Sequence, residues 1–151
     1  MKEIRIMVAV DFSEYSADVV AYACRLAQRM TAELLFVNVI NQRDIDMVNQ
    51  VTIHTDKITV EGYLSDVIRE RTREMKKMIE ETGCSGIPNQ FVIEKGVPFK
   101  KLIEVAAKEK VDMVVMGTKG RGDIEGILFG SQAEKMFRHC PVPLLSIRER
   151  E

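Results

Sequence analysis

Five of the nine glycines in this 151-residue chain fall between positions 117 and 130: Gly117, Gly120, Gly122, Gly126 and Gly130. An apolar run, Val111 to Met116, leads into this stretch, and Ser131 opens a segment with helical patterning behind it. A strand, a glycine loop and a helix start in that order make an anion site. Glycine lets the main chain approach a phosphate closely, and the first turn of a helix presents unpaired N–H groups at its positive end. The Ser131 hydroxyl adds a donor, and Glu134 three residues on gives the pattern of a capping box. No Gly-Lys dipeptide occurs, which excludes a Walker A loop. Gly120-x-Gly122 is followed by Gly126, one residue late for a dinucleotide fingerprint.

Other reactive side chains give weaker patterns. Asp11-Phe12-Ser13 follows the first apolar run, where Asp11 can cap a helix or face a ligand. Ser131 and His139 sit at opposite ends of one short helix, about 12 Å apart at a rise of 1.5 Å per residue, too far for a nucleophile and its base. His54 has no second histidine at ligand spacing. Cys24, Cys84 and Cys140 are odd in number, widely spaced and never in a CxxC, which disfavours a disulfide framework, a zinc ribbon or a thioredoxin-type site. Cys24 reads as a small core residue.

The elements that must position these residues alternate. Ile4 to Val10, Leu34 to Ile40, Phe91 to Ile93, Val111 to Met116 and Leu144 to Ile147 are apolar runs that suit strands buried on both faces. Between them, Ser13 to Met30, Leu64 to Ile79, Pro98 to Ala107 and Ser131 to His139 show helical spacing. Residues 41–62 are polar without clear periodicity and long for a connection, the mark of a flexible or functional excursion. The alternation predicts one α/β domain over residues 1–151 with a mostly parallel sheet.

Composition narrows the function. Lys and Arg number 22 against 23 Asp and Glu, so no net field attracts nucleic acid or an anionic membrane. No apolar run reaches membrane-spanning length, and Met1 to Arg5 leads into a strand without a signal-peptide core. Cysteine usage and the absence of a leader predict a cytoplasmic protein.

The spacing Gly117-x2-Gly120-x9-Gly130-Ser131 resembles the nucleotide-binding motif of the universal stress protein family. Val10-Asp11-Phe12-Ser13 resembles that family's N-terminal signature, and Pro141-Val142-Pro143-Leu144-Leu145 its last strand, so the resemblance runs the length of the chain. It implies a Rossmann-like, five-stranded parallel sheet of order 3-2-1-4-5 with helices on both faces. In such a sheet a ligand binds where the winding reverses, between strands 1 and 4. It further implies that Ala9, Val10, Asp11 and Val39 hold adenosine, with the Val39 backbone on the adenine edge. Met116, Gly117, Thr118, Gly120, Arg121 and Gly122 would line ribose and phosphates, and Gly130, Ser131 and Gln132 would cap the terminal phosphates. The implied ligand is ATP, with ADP and AMP as alternatives, together with Mg²⁺ or Mn²⁺ on mostly water ligands. Asp123 is a candidate metal contact, and Ala133 stands where many members carry a hydroxyl.

The last strand, Val142, Pro143, Leu144, Leu145, Ser146 and Ile147, is apolar for a sheet edge, and family members pair this strand across a two-fold axis. The reading is thus a homodimeric, nucleotide-dependent stress regulator with a further protein partner of unknown identity. A slow ATPase or nucleotide-dependent transferase on the same crevice, and a nucleotide-free interaction module, are the competing readings.

Overall fold

The computed structural model describes residues 2–119 and 130–148. Ten elements follow in the order β1 (Ile4–Ala9), α1 (Ser16–Met30), β2 (Ala32–Asn41), α2 (Gln42–Thr52), α3 (Val60–Glu81), β3 (Asn89–Gly96), α4 (Pro98–Lys108), β4 (Met113–Gly117), α5 (Ser131–His139) and β5 (Leu144–Ile147). The strands form one parallel sheet of order β3-β2-β1-β4-β5, the expected topology. Its winding reverses between β1 and β4, so their carboxyl ends frame a crevice.

Strand residues alternate between two cores, which is why the central strands read as unbroken apolar runs. Ile6, Val8, Leu34 and Phe36 pack with Val20, Ala23 and Cys24 of α1 and Met75 of α3. Met7, Leu35, Val37 and Val114 pack with Leu102 and Val105 of α4 and Met136 of α5. Pro98 opens α4, where its missing N–H costs nothing. Gly83 closes α3 at φ 80°, and the Cys84 N–H donates back to the Ile79 carbonyl at 3.1 Å, a Schellman turn.

Several local expectations need correction. Residues 41–62 include a helix that periodicity did not show: Asn41 caps α2 by accepting from the Arg43 N–H, and Thr59 caps α3 by accepting from the Gly62 N–H. The helix α2 buries only Ile45, so its apolar pattern is too thin to show as periodicity. The capping box at Ser131 and Glu134 does not form. Gly130 takes the N-cap position with extended backbone, its carbonyl accepts from the Glu134 N–H, and the Glu134 carboxylate turns to Arg138 at 2.9 Å. Cys24 is a core residue, and its side chain lies against that of Cys84, 60 positions away. Wide spacing in sequence carried no information about proximity in space.

At the opposite end from the crevice, Arg5 pairs with Glu33 and Glu109, and the Asp112 carboxylate accepts from the Arg5 N–H at 2.9 Å and from Lys2 at 3.2 Å. These two donors hold the Asp112 pKa below the usual carboxylate range. The Arg5 pKa is raised, chiefly by its hydrogen bond to Glu33.

Candidate functional site

A cleft of about 930 Å³ opens at the carboxyl ends of β1, β2 and β4. Nine of the residues singled out from sequence line it: Ala9, Val10, Asp11, Val39, Met116, Gly117, Gly130, Ser131 and Gln132. Thr118 lies beneath, 3% exposed. Gly120, Arg121, Gly122 and Asp123 fall outside the described residues.

The floor is main chain and small apolar side chains. The last β1 partner of β2 is Ala9 opposite Val37, with the Val10 N–H donating to the Val37 carbonyl at 2.9 Å. Residues two apart in a strand turn their N–H and C=O to the same side. Val39 therefore aims both groups toward the β1 side, past the point where β1 has left the sheet. A flat ring seated there meets one donor and one acceptor side by side, between the apolar side chains of Ala9, Val37, Leu102 and Met116.

The opposite rim is built for close approach. Gly117 ends β4, and a Cβ there would stand 3.2 Å from the Lys119 carbonyl oxygen and 3.4 Å from Val19. The Thr118 N–H donates to Ile147 at 3.1 Å, and its carbonyl accepts from the Gly130 N–H at 2.7 Å. That bond draws the two ends of the glycine-rich segment together and sets the N-terminus of α5 on the cleft. Gln132 does more than line the wall. Its side-chain oxygen accepts from the Phe99 N–H at 3.0 Å, capping α4 and tying the starts of α4 and α5 to one another. Two helix N-termini thus bring their positive ends to the same cleft.

Asp11 serves the fold as well as the cleft. Its Oδ1 accepts from the Ser13 N–H at 3.0 Å and from the Ser16 hydroxyl at 2.9 Å, which orders the turn into α1. Phe12, next in that turn, holds φ 57°, in the left-handed region, and its ring meets Phe91 edge to face at 6.3 Å.

Sequence reasoning missed the wall supplied by α2 and α3. Asn38, 2% exposed, donates to the Val10 carbonyl at 2.7 Å and accepts from Arg71 at 2.6 Å, which pins α3 to the end of β1. The available signal was a polar residue inside the apolar run Leu34 to Ile40. Asp44, Asp66, Glu70 and Glu74 line this side together with Arg43 and Arg71, while Lys119 lines the β4 side. Four carboxylates against two guanidinium groups, one of them engaged by Asn38, leave this wall net acidic, so an anion is favoured at the rim formed by Gly117, Gly130 and α5.

Comparison with known proteins agrees with this architecture. The sequence profile of the Universal stress protein family matches residues 4–148, so the chain belongs to the universal stress protein family. Universal stress protein MJ0531 of Methanocaldococcus jannaschii is 30% identical over 149 residues, spanning 97% of this chain and 84% of the relative. The solved structure of hypothetical protein MJ0577 superposes with a TM-score of 0.82 at 21% identity, covering 100% of this chain and 99% of the other. A universal stress protein from Archaeoglobus fulgidus, solved in complex with dAMP, superposes with a TM-score of 0.67 at 16% identity, covering 97% and 99% of the two chains. No helix among the described residues is long and apolar enough to cross a membrane.

Proposed function

We propose that this chain binds an adenine nucleotide in the cleft, with ATP as the ligand and Mg²⁺ or Mn²⁺ as its counter-ion, and acts as a nucleotide-dependent regulator of the stress response. The observation that carries the reading is the Val39 main chain, whose N–H and C=O extend past the end of β1 and match the acceptor N1 and donor amino group of adenine. The phosphates run the other way, away from the carboxylates of α3 and toward Lys119, Gly130 and the N-terminus of α5. The Ser131 hydroxyl and the α5 main-chain N–H groups face the terminal phosphates there. The metal takes phosphate oxygens and water as most of its ligands, with Asp123 as a candidate contact. The Archaeoglobus fulgidus relative was solved in complex with dAMP, which supports an adenine nucleotide as the ligand class.

The functional unit is a homodimer joined through β5. This strand is one edge of the sheet, and its Leu144, Leu145 and Ile147 remain partly exposed. The working compartment is the cytoplasm, where adenine nucleotides are held at high concentration. A bound nucleotide biases the state seen by a protein partner rather than being turned over.

Titration calorimetry of the full chain with ATP and Mg²⁺ tests the reading. The wild-type chain binds one nucleotide per chain. Gly117→Val, which fills the approach already crowded at 3.2 Å from the Lys119 carbonyl, loses affinity at least ~10-fold, or about 1.4 kcal/mol. No heat with ATP, ADP or AMP would leave the chain as an interaction module. Steady hydrolysis abolished by Asp11→Ala would make it an enzyme.

A further inference from the structure

The cluster that the nucleotide reading leaves unused lies in the core between α1 and the α3–β3 corner. Cys24 stands on the inner face of α1, 2% exposed, and Cys84 follows the Schellman turn that ends α3, 0% exposed. Their Cα atoms are 5.4 Å apart and the two sulfur atoms are in contact. A Cα separation of about 4.4–6.8 Å accommodates a disulfide without backbone movement. The positive φ of Gly83 is what turns Cys84 inward, since the chain would otherwise carry on along the helix. Cys140, the third cysteine, is only partly buried and lies on the other face of the sheet.

We propose that Cys24 and Cys84 are a thiol–disulfide modification site, an intramolecular bridge that locks α1 to the corner between α3 and β3. The oxidant is a small disulfide of the glutathione class. Both cysteines are buried once the core closes, so the exchange takes place as the chain folds: one cysteine thiolate attacks that disulfide, forming a mixed disulfide and releasing one glutathione thiol. The second cysteine thiolate displaces the other glutathione and closes the bridge. Two protein thiols are oxidised and one small disulfide is reduced to two thiols, which carry the two protons.

The bridge acts on stability and leaves the cleft alone. Cys84 lies ten residues past Glu74, the last α3 residue on the cleft, and Cys24 lies five residues past Val19 on α1. Closing a loop of 60 residues removes much of the freedom of the unfolded chain, so the oxidised chain melts higher than the reduced one by roughly 10 °C.

The test is an alkylation count on the full wild-type chain, refolded from denaturant in the presence of oxidised glutathione and unfolded again for labelling. The bridge predicts one alkylated cysteine, Cys140, rising to all three cysteines after reduction. Peptide mapping should place Cys24 and Cys84 in one cross-linked fragment. Cys140→Ser keeps the bridge, and Cys84→Ala melts at one temperature under oxidising and reducing conditions alike. Three alkylated cysteines after oxidation, a bridge that uses Cys140, or coincident melting of oxidised and reduced chains would each overturn the proposal.

Discussion

Replacing Asn38 by Ala removes two hydrogen bonds from the wall of the cleft at once. Asn38 is 2% exposed and the Val10 it serves is buried with it, whereas Arg71 is half-buried on the cleft wall. The bond from its amide to the Val10 carbonyl is 2.7 Å, and its loss leaves a buried acceptor unpaired, at a cost of about 1 kcal/mol or more. The bond accepted from Arg71 at 2.6 Å involves a charged donor, and such bonds contribute about 1.5–3 kcal/mol. Together these give a loss of about 3 kcal/mol. For a chain of this length that lowers Tm by roughly 6–12 °C. A double-mutant cycle with Arg71→Ala separates the two parts. The coupling between the sites should be about 1.5–3 kcal/mol, and the remainder belongs to Val10. Chemical denaturation of the four chains, with calorimetric melting as a second probe, supplies the numbers. An Asn38→Ala chain that melts within a degree of wild type, or a coupling near zero, would refute the view that this pair fastens α3 to the end of β1.

Gln132→Ala should cost about 1 kcal/mol of stability, because the Phe99 N–H at the start of α4 loses its side-chain acceptor. Gln132→Glu keeps an acceptor there and should restore most of the loss in the same melting experiment. Asp112→Asn should lower Tm at neutral pH and have little effect in acid. The folded carboxyl titrates below its usual range, so its stabilising contribution is present above the unfolded pKa and fades as pH falls through the folded one. Melting temperatures of the two chains should therefore converge as pH falls below the ordinary carboxylate range, and a gap that widened in acid would reverse the assignment.

The apolar runs of the sequence disclosed the sheet because a strand covered on both faces has nowhere to place a polar side chain. The order of strands, and with it the crevice between β1 and β4, came from resemblance rather than from periodicity. The α2 helix escaped notice because it buries one residue, Ile45, half-buries Val48 and leaves Met47 and Val51 exposed. Ser131 looked like a cap because its type and spacing to Glu134 suit one, yet Gly130 beside it adopts the extended conformation that the N-cap requires. The glycine loop announced an anion site, while the wall opposite it, made by Asn38 and Arg71, depends on a contact across 33 positions that no local pattern encodes. The pairing of Cys24 with Cys84 was hidden for the same reason.

A crystal structure of the chain grown with saturating ATP and Mg²⁺ tests the central claim most directly. The account predicts adenine hydrogen-bonded to the main chain of Val39, with the phosphates between Gly117, Gly130 and the first turn of α5. An empty cleft, or a nucleotide whose phosphates lie against Asp66, Glu70 and Glu74 on α3, would contradict it.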